Sequence, residues 1–470
     1  MIFILILPGG RIMAMDIDLG LSPKSLLNQT ARVADLAARK ARAIDRTWEP
    51  DHGAPVFTIE GRYASRGWTQ WTQGFQYGCM ILAGDALDDH QMIDLGKRRT
   101  IKHMLPHVTH TGVHDHGFNN LSTYGNLLRL LKEKRMTYDA WEEVTYSNAI
   151  AASGAVQAAR WSGTPSNQGY IYSFNGPHSL FIDTMRTTRI LGVAWQLGHT
   201  LMHEGDRAAN LLKRSVLHGL TTSQTIVFHG DSEHTYDVRG RTAHEGTFNR
   251  NDGAFRARAT QQGYSPFSTW TRGLAWAMLG YAEELEFFKT LPAAAFKTAT
   301  GLSKKEVVAV YERCAKDTCD HYLNDVACLD GITYWDDGAP NLHKLGDWRS
   351  APADPFNDHE PVDSSASAIA AQGLIRLGNY LGAARGKRYR QAGLTIAKTL
   401  FDEPYLSTRR DHQGLLLHTI YHWPNRWDHI PSGEKVACGE SSMWGDYHLL
   451  ELAVLIRRMA QDGPYLTFFL

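Results

Sequence analysis

An all-α fold built from helical hairpins follows from two features of the 470-residue sequence. Apolar residues recur at helical spacing in about a dozen segments, and almost nothing alternates with the period of two that marks a half-buried strand. The second feature is phase: residues suited to chemistry gather at the start of every second helix. The predicted segments run over 24–46, 70–84, 88–105, 118–135, 138–162, 180–198, 200–219, 268–288, 303–324, 364–382, 387–402 and 441–459.

Several of these carry start signals. Ser22-Pro23 opens the first, Ser303 through Glu306 reads as a capping box for the ninth, and Asp363-Ser364-Ser365 opens the tenth. The longest irregular stretches, 221–267, 325–362 and 403–440, are rich in Gly, Pro, Asp and His. Loops of that length inside a compact domain usually serve function. No low-complexity linker interrupts the chain, so residues 22–470 read as a single domain. Residues 1–21 read as an N-terminal extension, disordered or the product of a start upstream of Met13 or Met15. The opening apolar run has no basic residue before it and no convincing cleavage site.

Lys+Arg and Asp+Glu both number 49, with no run of one sign. That excludes the clustered basic field a nucleic-acid or anionic-membrane surface needs. No segment has the apolar length of a membrane span. Five cysteines without a C-x-x-C pair argue against a disulfide framework and for a reducing, cytoplasmic setting. The setting is periplasmic if the N-terminal run acts as an export signal. A monomer or homodimer is expected. The 13 Trp, 19 Tyr and 22 His suit a carbohydrate site, where rings stack on sugar faces and His and Tyr supply hydrogen bonds.

The phase of the special residues is the stronger argument. Trp68-Thr69-Gln70-Trp71 precedes the second helix and His114-Asp115-His116-Gly117-Phe118 the fourth. Asp183 starts the sixth, Trp270, Arg272 and Trp276 the eighth, Asp363-Ser364-Ser365 the tenth, and Trp444-Gly445-Asp446-Tyr447 the twelfth. Helices joined by short turns run antiparallel, so the even ones share a direction. If the hairpins close into a double ring, their starts meet at one rim, together with the positive ends of their dipoles.

Three of these segments resemble the unsaturated glucuronyl hydrolases of glycoside hydrolase family 88, and more loosely family 105. Gln262-Gly263-Tyr264-Ser265 followed by Ser268-Thr269-Trp270-Thr271-Arg272-Gly273-Leu274-Ala275-Trp276 is similar to the family's QGYSxxSTWxRGxAW run, with Leu274 where Gln is usual. Asp363 through Ala371 resembles DSSAAAIAA, and Trp444-Gly445-Asp446-Tyr447 precedes the last helix as in the family. His114 through Phe118 and Phe181-Ile182-Asp183 are weaker matches. The resemblance spans residues 114–450 and implies an (α/α)6 barrel of six hairpins.

It also implies a reaction. The substrate would be an unsaturated uronate oligosaccharide left by a polysaccharide lyase, with a C4=C5 double bond in its terminal sugar. Hydration of that vinyl ether releases the aglycone and needs no metal or other cofactor. Asp183 is expected to protonate C4 and then activate water, which calls for a raised pKa. Asp115 would stay ionised beside it. Substrate contacts are expected from His114, His234, Gln262, Trp270, Arg272, Trp276 and Trp444, with Arg272 meeting a carboxylate or orienting an aspartate. Ser364 and Ser365 read either as a helix cap or as hydroxyl contacts. His229 and His244 compete with His234 for the site histidine. The competing readings are a family 105 unsaturated rhamnogalacturonyl hydrolase and an epimerase-like (α/α)6 enzyme using paired histidines. Two more are a metal site on His110, His114 and His116, and a sugar-binding protein without activity.

Overall fold

The computed structural model describes residues 15–67 and 70–470; Trp68 and Thr69 of the first cluster, and residues 1–14, lie outside them. Twelve main helices form six hairpins, numbered here in chain order. These are α1 (Leu27–Thr47), α2 (Gln73–Leu87), α3 (His90–His103), α4 (116–132), α5 (Ala140–Ala159) and α6 (184–196). They continue with α7 (Leu211–Thr225), α8 (Thr271–Thr290), α9 (Lys304–His321), α10 (364–381), α11 (383–400) and α12 (Met443–Ala460). A single non-helical residue, Gly382 (φ 83°), separates α10 from α11.

The even helices pack in sequence, α2 on α4, α4 on α6, and so on to α12, which returns to α2. That closed inner ring is wrapped by the odd helices. Burial follows the arrangement. Residues 72–85 of α2 and its lead-in, and 268–285 around the start of α8, are buried on every side, as helices enclosed by others must be. Helix α1 by contrast buries one stripe, Val33, Leu36, Ala37, Ala41 and Ile44, at the three-to-four spacing of an outer helix.

Caps fix most starts. The side chains of Asp89, Asp139, Asn210 and Ser442 accept from backbone N–H groups in the first turns of α3, α5, α7 and α12. Ser22 forms a reciprocal box with Ser25 ahead of α1. The expected box at Ser303 is not made: its backbone is extended as a cap requires, but its side chain accepts no bond.

Three further expectations are corrected. The seventh helix begins at Leu211 rather than residue 200, because Leu201–His203 and Arg207–Ala209 pair as a hairpin. The irregular stretch after α7 contributes to a three-stranded antiparallel sheet of Ser179–Phe181, Glu245–Phe248 and Phe255–Ala259. Residues 15–21 also pack on the barrel: Met15 is buried, and Asp18 bonds Thr395 and Lys398.

Inside the inner ring lies a buried ion cluster that ties α6, α8, α10 and α12 together. Arg186 and Arg189 of α6 hold Glu283 of α8 at 3.2 and 3.1 Å, and Arg186 also holds Glu451 of α12 at 2.6 Å. Arg376 of α10 pairs with Glu286 at 2.8 Å and approaches Glu283 at 3.7 Å. Burial alone would raise the Glu283 carboxyl, but the three guanidinium groups outweigh it and hold it low. Removing one member of such a cluster leaves an uncompensated buried charge, at a cost of about 3–5 kcal/mol. Glu283→Ala is therefore expected to lose about that much stability in urea unfolding, with the midpoint shifted and the slope unchanged.

Candidate active site

Four aspartates stand at or beside the N-terminal ends of four inner helices, and their hydrogen bonds divide them into two kinds. Asp363 is a true cap: it accepts from Ser365 N, Ala366 N and Ser365 Oγ, and Arg272 Nη1 donates to it at 2.7 Å. Asp446 in the first turn of α12 accepts from Tyr63, Ser441 and the backbone of Leu415 and Leu416. Both are spent on structure. Asp115 and Asp183 precede α4 and α6 but neither side chain caps its helix. Their acceptor capacity is left for another use.

His114 connects those two. Its Nε2 lies 3.1 Å from Asp183 Oδ1 and 3.9 Å from Asp115 Oδ1. All three side chains are buried, the carboxyl groups reaching the surface only through the cavity they line. Burial lowers the imidazole, yet the two carboxylates outweigh it and raise its pKa above the ordinary value. Burial pushes the Asp115 carboxyl up, aided by Asp183 and opposed by His114. Burial also tends to raise Asp183, but the hydrogen bond and charge of His114, with His244 and Arg272 behind it, hold it low. The directions are thus opposite to the expectation of a raised Asp183 beside an ionised Asp115.

Close backbone packing sets this geometry. A Cβ on Gly117, two residues after Asp115, would lie 2.1 Å from the carbonyl oxygen of Thr187, four residues after Asp183. Only glycine lets α4 and α6 approach so near. A π turn, Leu121–Gly125, follows within α4.

The cavity is walled by Trp71, Phe118, Phe174, Phe181, Trp270, Trp276 and Tyr421, with Gln262 and Arg272 among its polar lining. Arg272 is more an organiser than a ligand arm. Its Nη1 donates to Asp363 and the Ile420 carbonyl, and its Nη2 to Gln262 Oε1 at 3.0 Å and the Tyr421 carbonyl at 2.7 Å. Its plane also faces Trp270 and Trp444. Of its two sequence readings, orienting an aspartate is the one this geometry favours.

Four expected contacts are corrected. His234 is exposed, outside the cavity lining. The neighbouring histidine that faces the site is His244, packed between Phe181 and Trp270, with Gln261 N donating to its Nδ1 at 3.1 Å. Burial lowers its pKa to about 3, so it is neutral, with Nε2 carrying the proton. His229 turns away to Asp317 and the Ser223 carbonyl. Ser364 and Ser365 are fully buried, bonded to the Leu417 carbonyl and to Asp363 respectively. Trp444 stacks beneath Trp71 with its indole N–H on Ser365, and supports the wall instead of forming it.

The other histidines near Asp115 diverge. His116 is bonded at both nitrogens, to Ser153 Oγ and the His110 carbonyl, and is lowered to about 3. Among the described residues no cluster has metal-ligand geometry. Phe174 and Tyr421 escaped the sequence reading because their loops are placed only by tertiary packing, and Phe181 entered it only as part of a motif. For Tyr421 the one signal was the unusual length of 403–440.

Two outcomes are expected. Gly117→Ala should destabilise the protein by about 1–3 kcal/mol through overpacking and lower activity by displacing both aspartates. In an NMR titration His114 should keep its proton above the ordinary histidine range and lose that elevation in Asp183→Asn. His244 should show no titration between about pH 5 and 8.

No protein-family model matches the chain. An unsaturated glucuronyl hydrolase of Bacillus sp. (strain GL1) is 25% identical over 405 residues, covering 84% of this chain and 89% of that protein. An unsaturated chondroitin disaccharide hydrolase of Streptococcus pyogenes serotype M1 is 24% identical over 440 residues, covering 92% and 91%. The crystal structure of the Bacillus sp. GL1 unsaturated glucuronyl hydrolase superposes with a TM-score of 0.68 at 21% identity, covering 91% of this chain and 97% of that one. Over most of its length the chain is similar in sequence, and in fold, to unsaturated glucuronyl hydrolases.

Proposed function

We propose that this protein is a glycoside hydrolase that removes a 4,5-unsaturated uronic acid from the non-reducing end of oligosaccharides released by polysaccharide lyases. The observation that carries this reading is the pair Asp115 and Asp183, buried, released from capping duty and sharing His114 in an aromatic-walled cavity. The relatives named above support the same substrate class. Aromatic walls suit a sugar ring, and the inner helix N-termini turn their positive dipole ends toward a uronate carboxylate.

The chemistry follows from the proton inventory. His114, its pKa raised by the two carboxylates, is the hydrogen-bond partner of Asp183, with Nε2 3.1 Å from Oδ1. A sugar ring filling the cavity excludes water, which disfavours the charged His114–Asp183 pair relative to its neutral form. The proton then moves from His114 to Asp183, and Asp183 delivers it to C4. Positive charge develops at C5 and the ring oxygen, supported by Asp115 in its ionised form. Water adds at C5, returning its proton to Asp183, and the resulting hemiketal opens and expels the aglycone.

The test is the loss of ultraviolet absorbance of the conjugated enol ether when protein is mixed with lyase-generated disaccharides. Absence of loss with glycosaminoglycan, pectin, ulvan and gellan products alike would overturn the reading. Asp183→Asn should lower turnover by about 10²–10⁴-fold, the usual worth of a positioned acid–base group, while substrate still binds. The rate should hold up to pH values above the ordinary histidine range and fall as pH rises through the raised His114 value. His114→Gln, which carries no such proton, should abolish that alkaline limb; an unchanged profile would remove His114 from the proton path.

A further inference from the structure

Outside the cavity the molecule exposes three rings in mutual contact. His234 lies parallel to Tyr236, with centroids 5.0 Å apart at 13°, and Tyr236 packs on Phe267 at 4.9 Å. Tyr236 is 38% and Phe267 48% exposed, and His234 is exposed as well. Adjacent large rings left in water commonly mark a binding surface.

These rings are held in place. The Asp237 carboxylate accepts from Gly230 N at 3.0 Å and Ser232 N at 2.8 Å, and Arg241 donates to the Tyr236 carbonyl at 3.2 Å. Behind Tyr236 sits Phe228, itself covered by the Arg258 guanidinium at 4.0 Å. A surface ordered at folding spends little further entropy when a ligand arrives.

Connectivity places the rings on the rim at which the cavity lies. Outer helix α7 ends at Thr225, at the rim where inner helix α8 starts, and the segment bearing His234 and Tyr236 leaves from there. Its base is closed by a bridge between Val227 and Thr242, two residues from His244. Phe267 comes three residues before Trp270, which walls the cavity.

We propose that His234, Tyr236 and Phe267 form an accessory sugar-binding ledge for the part of an oligosaccharide beyond the sugar next to the bond being broken. The occupant follows from continuity: a chain whose terminal ring fills the cavity must leave across the rim, and flat rings present what the apolar face of a pyranose stacks on. This inference rests on the hydrolase reading above and adds a preference for longer substrates.

The experiment compares an unsaturated disaccharide and tetrasaccharide from one lyase digest, using the whole chain, Tyr236→Ala, Phe267→Ala and Tyr236→Phe. Each alanine variant should keep the disaccharide kcat/KM and lose about 2–10-fold on the tetrasaccharide, through KM, as expected for a lost aromatic stack. Tyr236→Phe should retain both. Equal loss on both substrates, or no loss on the tetrasaccharide, would overturn the ledge while leaving the hydrolase reading intact. If the unaltered protein turns over neither, the hydrolase reading fails and the ledge falls with it.

Discussion

Closure of the inner ring is the constraint on which the site depends. Six hairpins joined by short turns leave the even helices parallel, and closing α12 onto α2 brings all their N-terminal ends to one rim. The helix dipoles then add in one place, and side chains far apart in the chain converge. Residues separated by hundreds of positions meet because the inner helices run parallel and close into a ring. No local sequence preference draws them together.

Buried charge inside the ring is handled in two ways. In its interior, Arg186, Arg189 and Arg376 share Glu283, Glu286 and Glu451, and the compensation is nearly complete. At the rim the aspartates are treated unequally. Asp363 and Asp446 are saturated with donors and lock loops 415–421 to the helix starts, whereas Asp115 and Asp183 are desolvated without being saturated. A carboxyl in that state has a pKa sensitive to whatever enters, which general acid–base work requires. Arg272 links the two regimes, because it orients Asp363, fixes the 420–421 backbone and backs the aromatic wall.

The sequence was informative where a property is local. Apolar periodicity located the twelve helices, and failed mainly at 200–210, where a short hairpin precedes Leu211. Motif resemblance singled out the segments at the rim, and those segments do line or support one cavity. Individual side chains were harder. His234 and His244 stand ten apart in one loop, and only the pairing of Glu245–Phe248 with Ser179–Phe181 turns His244 inward. Ser364 and Ser365 carry hydroxyls that suit either a cap or a ligand, and the structure uses them for neither: Asp363 is the cap, and the two hydroxyls donate to the Leu417 carbonyl and to Asp363.

By itself, then, the sequence determined the helical class, the alternation of plain and residue-rich helix starts, and the candidate pair Asp115 and Asp183. Periodicity, capping and motif order are written in short stretches of chain. The tertiary structure alone decided which aspartate is held low and which is raised. Those pKa shifts arise from burial and from His114 lying 3.1 Å from one carboxyl and 3.9 Å from the other. Desolvation and charge act through space, and distances in space are set only when α4 and α6 close over Gly117.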